Sequence, residues 1–543
     1  MRWNRRGQGF TNAVGCRTRG SQSAHFPHGR ERVQSSSQSA RKGVGVVEKV
    51  CVYSGVPGLV RARPGFRAVI QRAHWGSSFT NLSISAFWWM LKVRGAAYDI
   101  ASMEQHRQLG LAATIAVVTG ESIALGIFLT PAAMAKSLGS PLLLTAVWCG
   151  MGLITMCGAL CYSELAVRFP LAGGEYVYLR EGYGSRVAFL YGWMSAAVMD
   201  PGLAAALAMG ATPYVLSLLG VSQQLRLWIP AVMLVGLALL NYVGTRLSRR
   251  VMSAANLLKI AVLLCLVTWA WISGHATAAN LTPLTERRSG SEPIFAAIAG
   301  ATVSAFFSFG GWWEAGKVAG EVRNPRRTLP LAFTLGVLIV TAVYLLLSFA
   351  FLSVVPVERI VSNTAFVAQF GEALFGSVGG KVLSACVLLS VLGGLMALTM
   401  AAPRVYYAMA KDGAFFPAFG RLHSRFGTPA NAVLLQTGLA LLVLCFGAFD
   451  RILSFIIFSA ICFLALSVAS LFRLKEPVTR WWYPAAPILF LLGCTLINLL
   501  ILMHDPVPAL LGLLAVLCGD PVRRFFFSTP QIAMPNVTEQ PLI

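Results

Sequence analysis

Apolar runs set the rhythm of this chain. From about residue 109 to the low 520s, hydrophobic stretches alternate with short polar connections. They lie near 109–133, 142–167, 187–218, 226–244, 251–273, 295–320, 329–355, 378–410, 430–449, 452–473, 484–503 and 506–520. A membrane-crossing helix takes roughly 20 apolar residues, and most of these runs reach that length. They are continuous rather than short and alternating, which separates them from the strands of a membrane barrel. The pattern predicts an all-α polytopic membrane protein of about 12 transmembrane helices.

The connections give the orientation. Arg168, Arg180 and Arg186 follow the second span, and Arg246, Arg249 and Arg250 follow the fourth. Arg323, Arg326 and Arg327 follow the sixth. Lys411, Arg421 and Arg425 follow the eighth, and Arg473, Lys475 and Arg480 the tenth. The alternate connections are poorer in positive charge, with Arg287 and Arg288 the main exception. Positive loops stay cytoplasmic, so the even-to-odd connections face the cytoplasm and both termini lie there too.

Composition narrows the class. The chain is 56% hydrophobic and 12% charged, where a soluble domain carries about 25% charged residues. The formal charge of +23 gathers in the first hundred residues and in loops on one side, so it does not point to nucleic acid. Cys157 and Cys161 stand one helical turn apart, but no histidine or second cysteine pair accompanies them, so buried thiols are expected and no metal site. No nucleophile motif or phosphate loop is present, so neither an enzyme nor a cofactor is expected. Residues 1–102 are rich in Arg, Ser and Gly without a sustained apolar period. They read as a disordered basic tail, or as an extension ahead of a native start at Met103. The transporter domain is expected over 103–525, with a tail over 526–543.

Two spans are interrupted. The first carries Gly120-Glu121-Ser122-Ile123-Ala124-Leu125-Gly126-Ile127-Phe128 in its middle. The sixth carries Phe307-Ser308-Phe309-Gly310-Gly311-Trp312-Trp313-Glu314-Ala315-Gly316-Lys317. Glycine weakens a helix interior, and a carboxylate at membrane depth is costly and usually functional. A continuous helix with small residues for close packing is the plainer reading of either stretch alone. Taken together, interrupted spans five apart predict two inverted halves with a small-molecule site at the midplane. A break in span one frees helix N–H groups near Ala124 to Phe128 for a carboxylate. Carbonyls that end the first half of span six, near Phe307 to Phe309, suit an ammonium group. The expected binding residues are Ile123, Ala124, Leu125, Gly126, Phe307, Ser308, Phe309, Gly310 and Gly311.

Motifs in the right order on the right spans carry a family resemblance. Beside the two breaks they are Cys161-Tyr162-Ser163-Glu164-Leu165-Ala166-Val167-Arg168-Phe169-Pro170, then Gly173-Gly174-Glu175-Tyr176-Val177-Tyr178-Leu179-Arg180-Glu181. Gly320-Glu321-Val322-Arg323-Asn324-Pro325 and Arg404-Val405-Tyr406-Tyr407-Ala408-Met409-Ala410-Lys411-Asp412-Gly413 complete the set. Over roughly residues 109–475 the chain resembles the amino acid–polyamine–organocation superfamily, and within it the L-type amino acid transporter branch, as a bacterial-type amino acid permease. The resemblance implies a five-plus-five inverted repeat of the LeuT-like kind, with spans eleven and twelve peripheral. It implies a secondary active amino acid transporter, expected to be a sodium-independent exchanger working by alternating access. A proton-coupled amino acid or polyamine symporter is the alternative mechanism, and a nutrient sensor or channel the alternative class.

The same resemblance marks single residues. Lys259 in span five resembles a stand-in for a sodium ion, bonding carbonyls of spans one and eight; its plainer reading is a lysine snorkelling to headgroups. Phe307 matches the aromatic gate, where packing is the plainer reading. Trp312 and Trp313 are expected to pack. Glu121 and Glu314 depart from the family pattern, and Leu125 replaces a small residue. A structural ion pair between these carboxylates and Lys317 is expected first, with cationic-substrate recognition or proton coupling as the other roles. Asp200 is expected to bond freed backbone beside Pro201. Animal members of the branch bond a partner glycoprotein through a cysteine after span three. Leu219-Gly220-Val221-Ser222-Gln223-Gln224 has none, so no disulfide-linked subunit is expected. The expected partners are the amino acid and the lipid bilayer, and the expected location is a bacterial inner membrane.

Overall fold

The computed structural model describes residues 107–527, apart from 244, 357–362, 447–448, 475–477 and 505. The extension expected over 1–102, the start expected at Met103 and nearly all of the tail expected over 526–543 lie outside the described residues. Within them every regular element is helical.

Span one is two helices, α1 (Leu111–Ser122) and α2 (Gly126–Leu138). Gly139 ends α2 in the left-handed region, φ 70°, where glycine carries no Cβ penalty. Ser140 then caps α3 (Pro141–Arg168), its hydroxyl accepting from the Leu143 amide, and Pro141 opens the helix where no amide partner is needed. A short loop helix, α4 (Glu175–Tyr183), leads to α5 (Ser185–Met194). A π turn over Ser195–Met199 joins α5 to α6 (Asp200–Leu219), so span three is one long interrupted helix.

Spans four and five are α7 (Trp228–Val243) and α8 (Thr245–Ile272). Span six divides into α9 (Ile294–Phe309) and the single turn α10 (Glu314–Lys317). Span seven is α11 (Pro325–Val354), and a loop helix α12 (Asn363–Phe375) follows it. Span eight is α13 (Gly379–Ala401), continued by α14 (Pro403–Lys411). The remaining helices are α15 (Ala430–Phe446), α16 (Phe449–Ala469), α17 (Ala485–His504), α18 (Pro506–Leu517) and the loop helix α19 (Gly519–Phe526).

Nine helical stretches among the described residues are long and apolar enough to cross a membrane. The divided span one, α15 and α18 are shorter apolar elements and stand at the places of the remaining expected spans. The chain is thus an all-α polytopic membrane protein. Helices α4, α12 and α19 are elements that the apolar runs did not announce, since none is a long hydrophobic stretch.

The broken spans occupy the interior. Helix α11 packs along both α3 and α1, α13 along α6, α8 and α1, and α9 along α2. From Ala116 to Phe128 every residue is buried. The outer helices show the opposite character: Val232 and Leu239 on α7, Leu492 and Leu496 on α17, and Leu510 and Leu514 on α18 are exposed. A hydrocarbon solvent accepts such a surface, and it leaves the polar residues to the interior.

Candidate functional site

The break in span one has a local cause. Thr119 and Ser122 turn their hydroxyls back onto the carbonyls of Ile115 and Val118, each at 3.0 Å, a bond that loosens helix geometry. Ile123 then leaves the helical region at φ −84°, ψ 67°, and the helix resumes at Gly126. The first amides of α2 have no partner within the helix, as at any helix start. Of these, the Phe128 amide is taken by the Leu125 carbonyl at 3.1 Å.

The break in span six mirrors it. Helix α9 stops at Phe309, Gly310 is extended, and Gly311 adopts φ 97°, which strains any residue with a Cβ. The amide of Glu314 bonds the Gly311 carbonyl at 3.1 Å and starts the turn α10.

The two breaks touch. A methyl at Gly126 would lie 2.7 Å from Ser308 Cα, so this glycine is needed for close approach rather than for its dihedrals. Thr130 Oγ1 and Ser308 Oγ are 2.8 Å apart. On the other side, a methyl at Gly311 would lie 2.5 Å from Cβ and Cγ of Glu121. Tyr344 of α11 reaches both breaks with one hydroxyl. It donates to the carbonyl of Ser308 at 2.5 Å and also contacts the carbonyl of Ser122. Its single proton is shared between the ends of α1 and α9.

Lys259 ties span one from behind. It is 1% exposed, and its ammonium donates to the carbonyls of Gly120 at 3.0 Å and Ile123 at 2.7 Å. Asn256, one turn earlier, donates to the Ala116 carbonyl at 2.8 Å. Gly393 of α13 lies against the ammonium, where a methyl would come within 3.4 Å. Span eight thus approaches Lys259 through a glycine, while the ammonium bonds the carbonyls of span one.

A charged cluster fills the space below the breaks. Lys317 Nζ pairs with Glu314 Oε1 at 2.7 Å and with Asp200 Oδ1 at 3.0 Å. Asp200 also accepts from Ser195 Oγ at 2.5 Å. The loop helix α4 adds Glu175, which accepts from Tyr191 Oη at 3.1 Å. Burial pushes the Glu175 carboxyl up to about 7, against the opposing pull of Lys317. Among the described residues, Glu121 Oε2 and Glu314 Oε2 are buried with no hydrogen-bond partner. No group of histidine, cysteine and carboxylate side chains there could hold a metal ion.

The loop motifs fasten this region. Gly173 and Gly174 have φ 117° and 52°, and the Gly173 amide donates to the Lys317 carbonyl at 3.0 Å. A methyl at Gly174 would lie 2.8 Å from the Lys317 amide nitrogen, so the glycine pair lets the loop backbone reach α10. The Glu321 carbonyl accepts from the amides of Gln108 and Leu109, both at 2.8 Å, and the Arg323 amide donates to Leu109. The Glu321 carboxylate pairs with Arg404 at 2.8 Å.

Comparison with known proteins gives the family. A family model described as amino acid permease matches residues 109–514. The chain belongs to the amino acid permease family. It is 29% identical to the serine/threonine exchanger SteT of Bacillus subtilis (strain 168), over 77% of the permease and 96% of that protein. It is 29% identical to the large neutral amino acids transporter small subunit 2 of Oryctolagus cuniculus, over 77% and 79% of the two chains. It is 25% identical to the human cystine/glutamate transporter, over 77% and 85%.

Within the permease the expected binding residues come together. Ile123, Ala124, Leu125 and Gly126 form one break and Phe307 to Gly311 the other. They are not equivalent. Phe307 is half-buried, whereas Phe309 is buried against the rings of Trp148 and Tyr344, at centroid distances of 6.0 and 5.1 Å. Trp312 packs among Tyr162, Phe333 and Phe490, and also meets Trp313. Glu314 takes the expected ion pair with Lys317. Glu121 lies against Gly311 instead. Asp200 does not bond freed backbone: the π turn before it aims it at Lys317 and Ser195. Tyr344 carried no sequence signal, because a tyrosine in an apolar span reads as packing.

Proposed function

We propose that this permease exchanges amino acids across a membrane by alternating access at its paired breaks. The observation that carries the reading is the contact between them: the start of α2 meets the end of α9 at Gly126 and Ser308, and Thr130 Oγ1 lies 2.8 Å from Ser308 Oγ. A helix start favours a carboxylate and a helix end an ammonium group, so the pair reads an α-amino acid mainly through backbone. Phe307, the less buried ring beside the break, is the gate. The names of the relatives, an exchanger and two amino acid transporters, support the substrate class. Lys259 supplies a fixed charge at the carbonyls of Gly120 and Ile123, where a bound cation would otherwise be needed, and this supports transport without sodium. Both termini are cytoplasmic by the loop charges, as in a bacterial inner membrane. The loop after α6 carries no cysteine for a disulfide-linked subunit.

The test is counterflow. Purified full-length protein in proteoliposomes, without sodium, should take up labelled amino acid when the lumen is preloaded with an unlabelled mixture. Equal uptake into empty and preloaded vesicles would remove the exchange reading. Uptake that requires an inward proton gradient would favour the symport alternative, which the carboxylates around Lys317 support.

A further inference from the structure

Helix α19 follows α18 after one residue, Cys518, and packs back on α5. Its foothold is close. A methyl at Gly519 would lie 2.8 Å from the Trp193 ring, and the Trp193 indole donates to the Ala515 carbonyl at 3.1 Å. Past its other end, Phe527 meets the rings of Phe189 and Phe416 at 5.8 and 5.4 Å. Three guanidinium groups share one carboxylate on this helix. Asp520 accepts from Arg186 Nε at 2.9 Å and Nη2 at 3.2 Å, and pairs with Arg524 Nη2 at 2.8 Å. Arg523 Nε stands 3.7 Å from Asp520, too far to bond, and has no hydrogen-bond partner among the described residues. The side chains of Arg186 and Arg524 are 61% and 68% exposed. Asp520 balances one of the three charges, and each guanidinium carries more N–H donors than it can take.

Two rings stand beside these charges. Phe525 and Phe526 are exposed, with centroids 5.0 Å apart. An apolar surface leads to them: Leu510, Leu514 and Leu517 recur at helical spacing along α18, and all three are exposed. Water disfavours such a surface and hydrocarbon accepts it. Rings and guanidinium groups together at the end of an apolar helix suit a headgroup boundary, where rings enter the acyl layer and cations meet phosphate. An acidic protein segment would satisfy the arginines but not the leucines that lead to them. We propose that Arg186, Arg523 and Arg524, with Phe525 and Phe526 beside them, bind the headgroup of an anionic phospholipid. The phosphate takes donors that Asp520 leaves, through the paired N–H geometry of arginine. Asp520 is a positioning residue: it holds Arg186 of α5 to Arg524 of α19, so that the site spans both helices. The site lies apart from the paired breaks and stands whether or not they exchange amino acids.

The experiment is photo-crosslinking. Full-length protein in proteoliposomes is given traces of photoactivatable phosphatidylglycerol or, separately, photoactivatable phosphatidylcholine, and the linked peptides are mapped by mass spectrometry. The anionic probe is expected to label residues 519–527 about tenfold more than the zwitterionic one, and raised salt to shrink that excess. Equal labelling by the two probes would overturn the proposal and leave this face to an acidic protein segment. Arg523→Gln combined with Arg524→Gln keeps the pair of Arg186 and Asp520 and should remove the excess; a variant that retains it would also overturn the proposal. Phe525→Ser combined with Phe526→Ser should lower labelling by the anionic probe. Soluble glycerol phosphate in excess should leave the labelling in place. Its displacement of the probe would mean a site for free anions, and the lipid assignment would fall.

Discussion

Lys259 Nζ donates to the carbonyl of Ile123 at 2.7 Å, at the first residue past the end of α1. A lysine nitrogen is thereby fixed to the end of the broken helix by the protein itself. Lys259→Ala should leave two buried carbonyls unpaired, at a cost of about 1–3 kcal/mol each. Exchange is expected to fall at least tenfold, and added sodium to restore part of it. Uptake at the wild-type rate in sodium-free vesicles would sink the surrogate role.

Tyr344→Phe tests the bridge between the two breaks. The ring keeps its contacts with Trp148 and Phe309, at 5.1 Å each, while the hydroxyl is lost. Stability should drop by about 1–3 kcal/mol, the cost of a buried carbonyl left unpaired. The larger effect should be on exchange, since α1 and α9 lose a shared tie. Thermal unfolding in detergent and counterflow on the same preparation separate the two. Normal exchange would show that the bridge is only structural.

Gly126→Ala should abolish exchange, because the new methyl meets the Ser308 backbone at 2.7 Å. Gly150→Ala is the control. Nothing lies within 4 Å of that position, and it is mid-helix in α3, so the change should be neutral or stabilise by up to about 1 kcal/mol. Parallel expression and uptake assays decide. Equal activity of the two variants would contradict a close-packed substrate site at Gly126.

Lys317→Met removes the cation shared by Asp200 and Glu314. Breaking a buried pair from one side costs about 3–5 kcal/mol, since the partner charge is stranded. The variant should unfold at clearly lower temperature, and adding Glu314→Gln to it should recover part of the loss. A melting temperature unchanged from wild type would mean that the pair contributes no net stability.

The sequence showed the breaks and not their joints. Glycines and a carboxylate inside an apolar run are visible in one dimension, and so is a lysine in span five, because each violates the composition around it. Tyr344 violates nothing in span seven, and only the folded chain places its hydroxyl between Ser122 and Ser308. Asp200 was visible as a charge, but its partner lies more than a hundred residues away, and pairing at that separation is set by how helices pack. Helix α12 was missed for a different reason: Asn363–Phe375 is too short and too polar to register against the spans on either side. The glycine pair at Gly173 and Gly174 was legible as a motif, while its purpose, admitting Lys317 backbone, was not.

The bonds from Gln108 and Leu109 to Glu321 have a mechanical meaning. The strand-like pairing of Leu109 with Val322 clamps the leading end of α1 to the chain leaving α10. Two short levers that would otherwise swing separately are thereby made into one. Because Glu321 also grips Arg404, at the foot of span eight, the lever has a latch on its fixed neighbour. The start of α1, the chain leaving α10 and the foot of span eight are thus tied at one point, and any displacement of one is expected to draw on the other two.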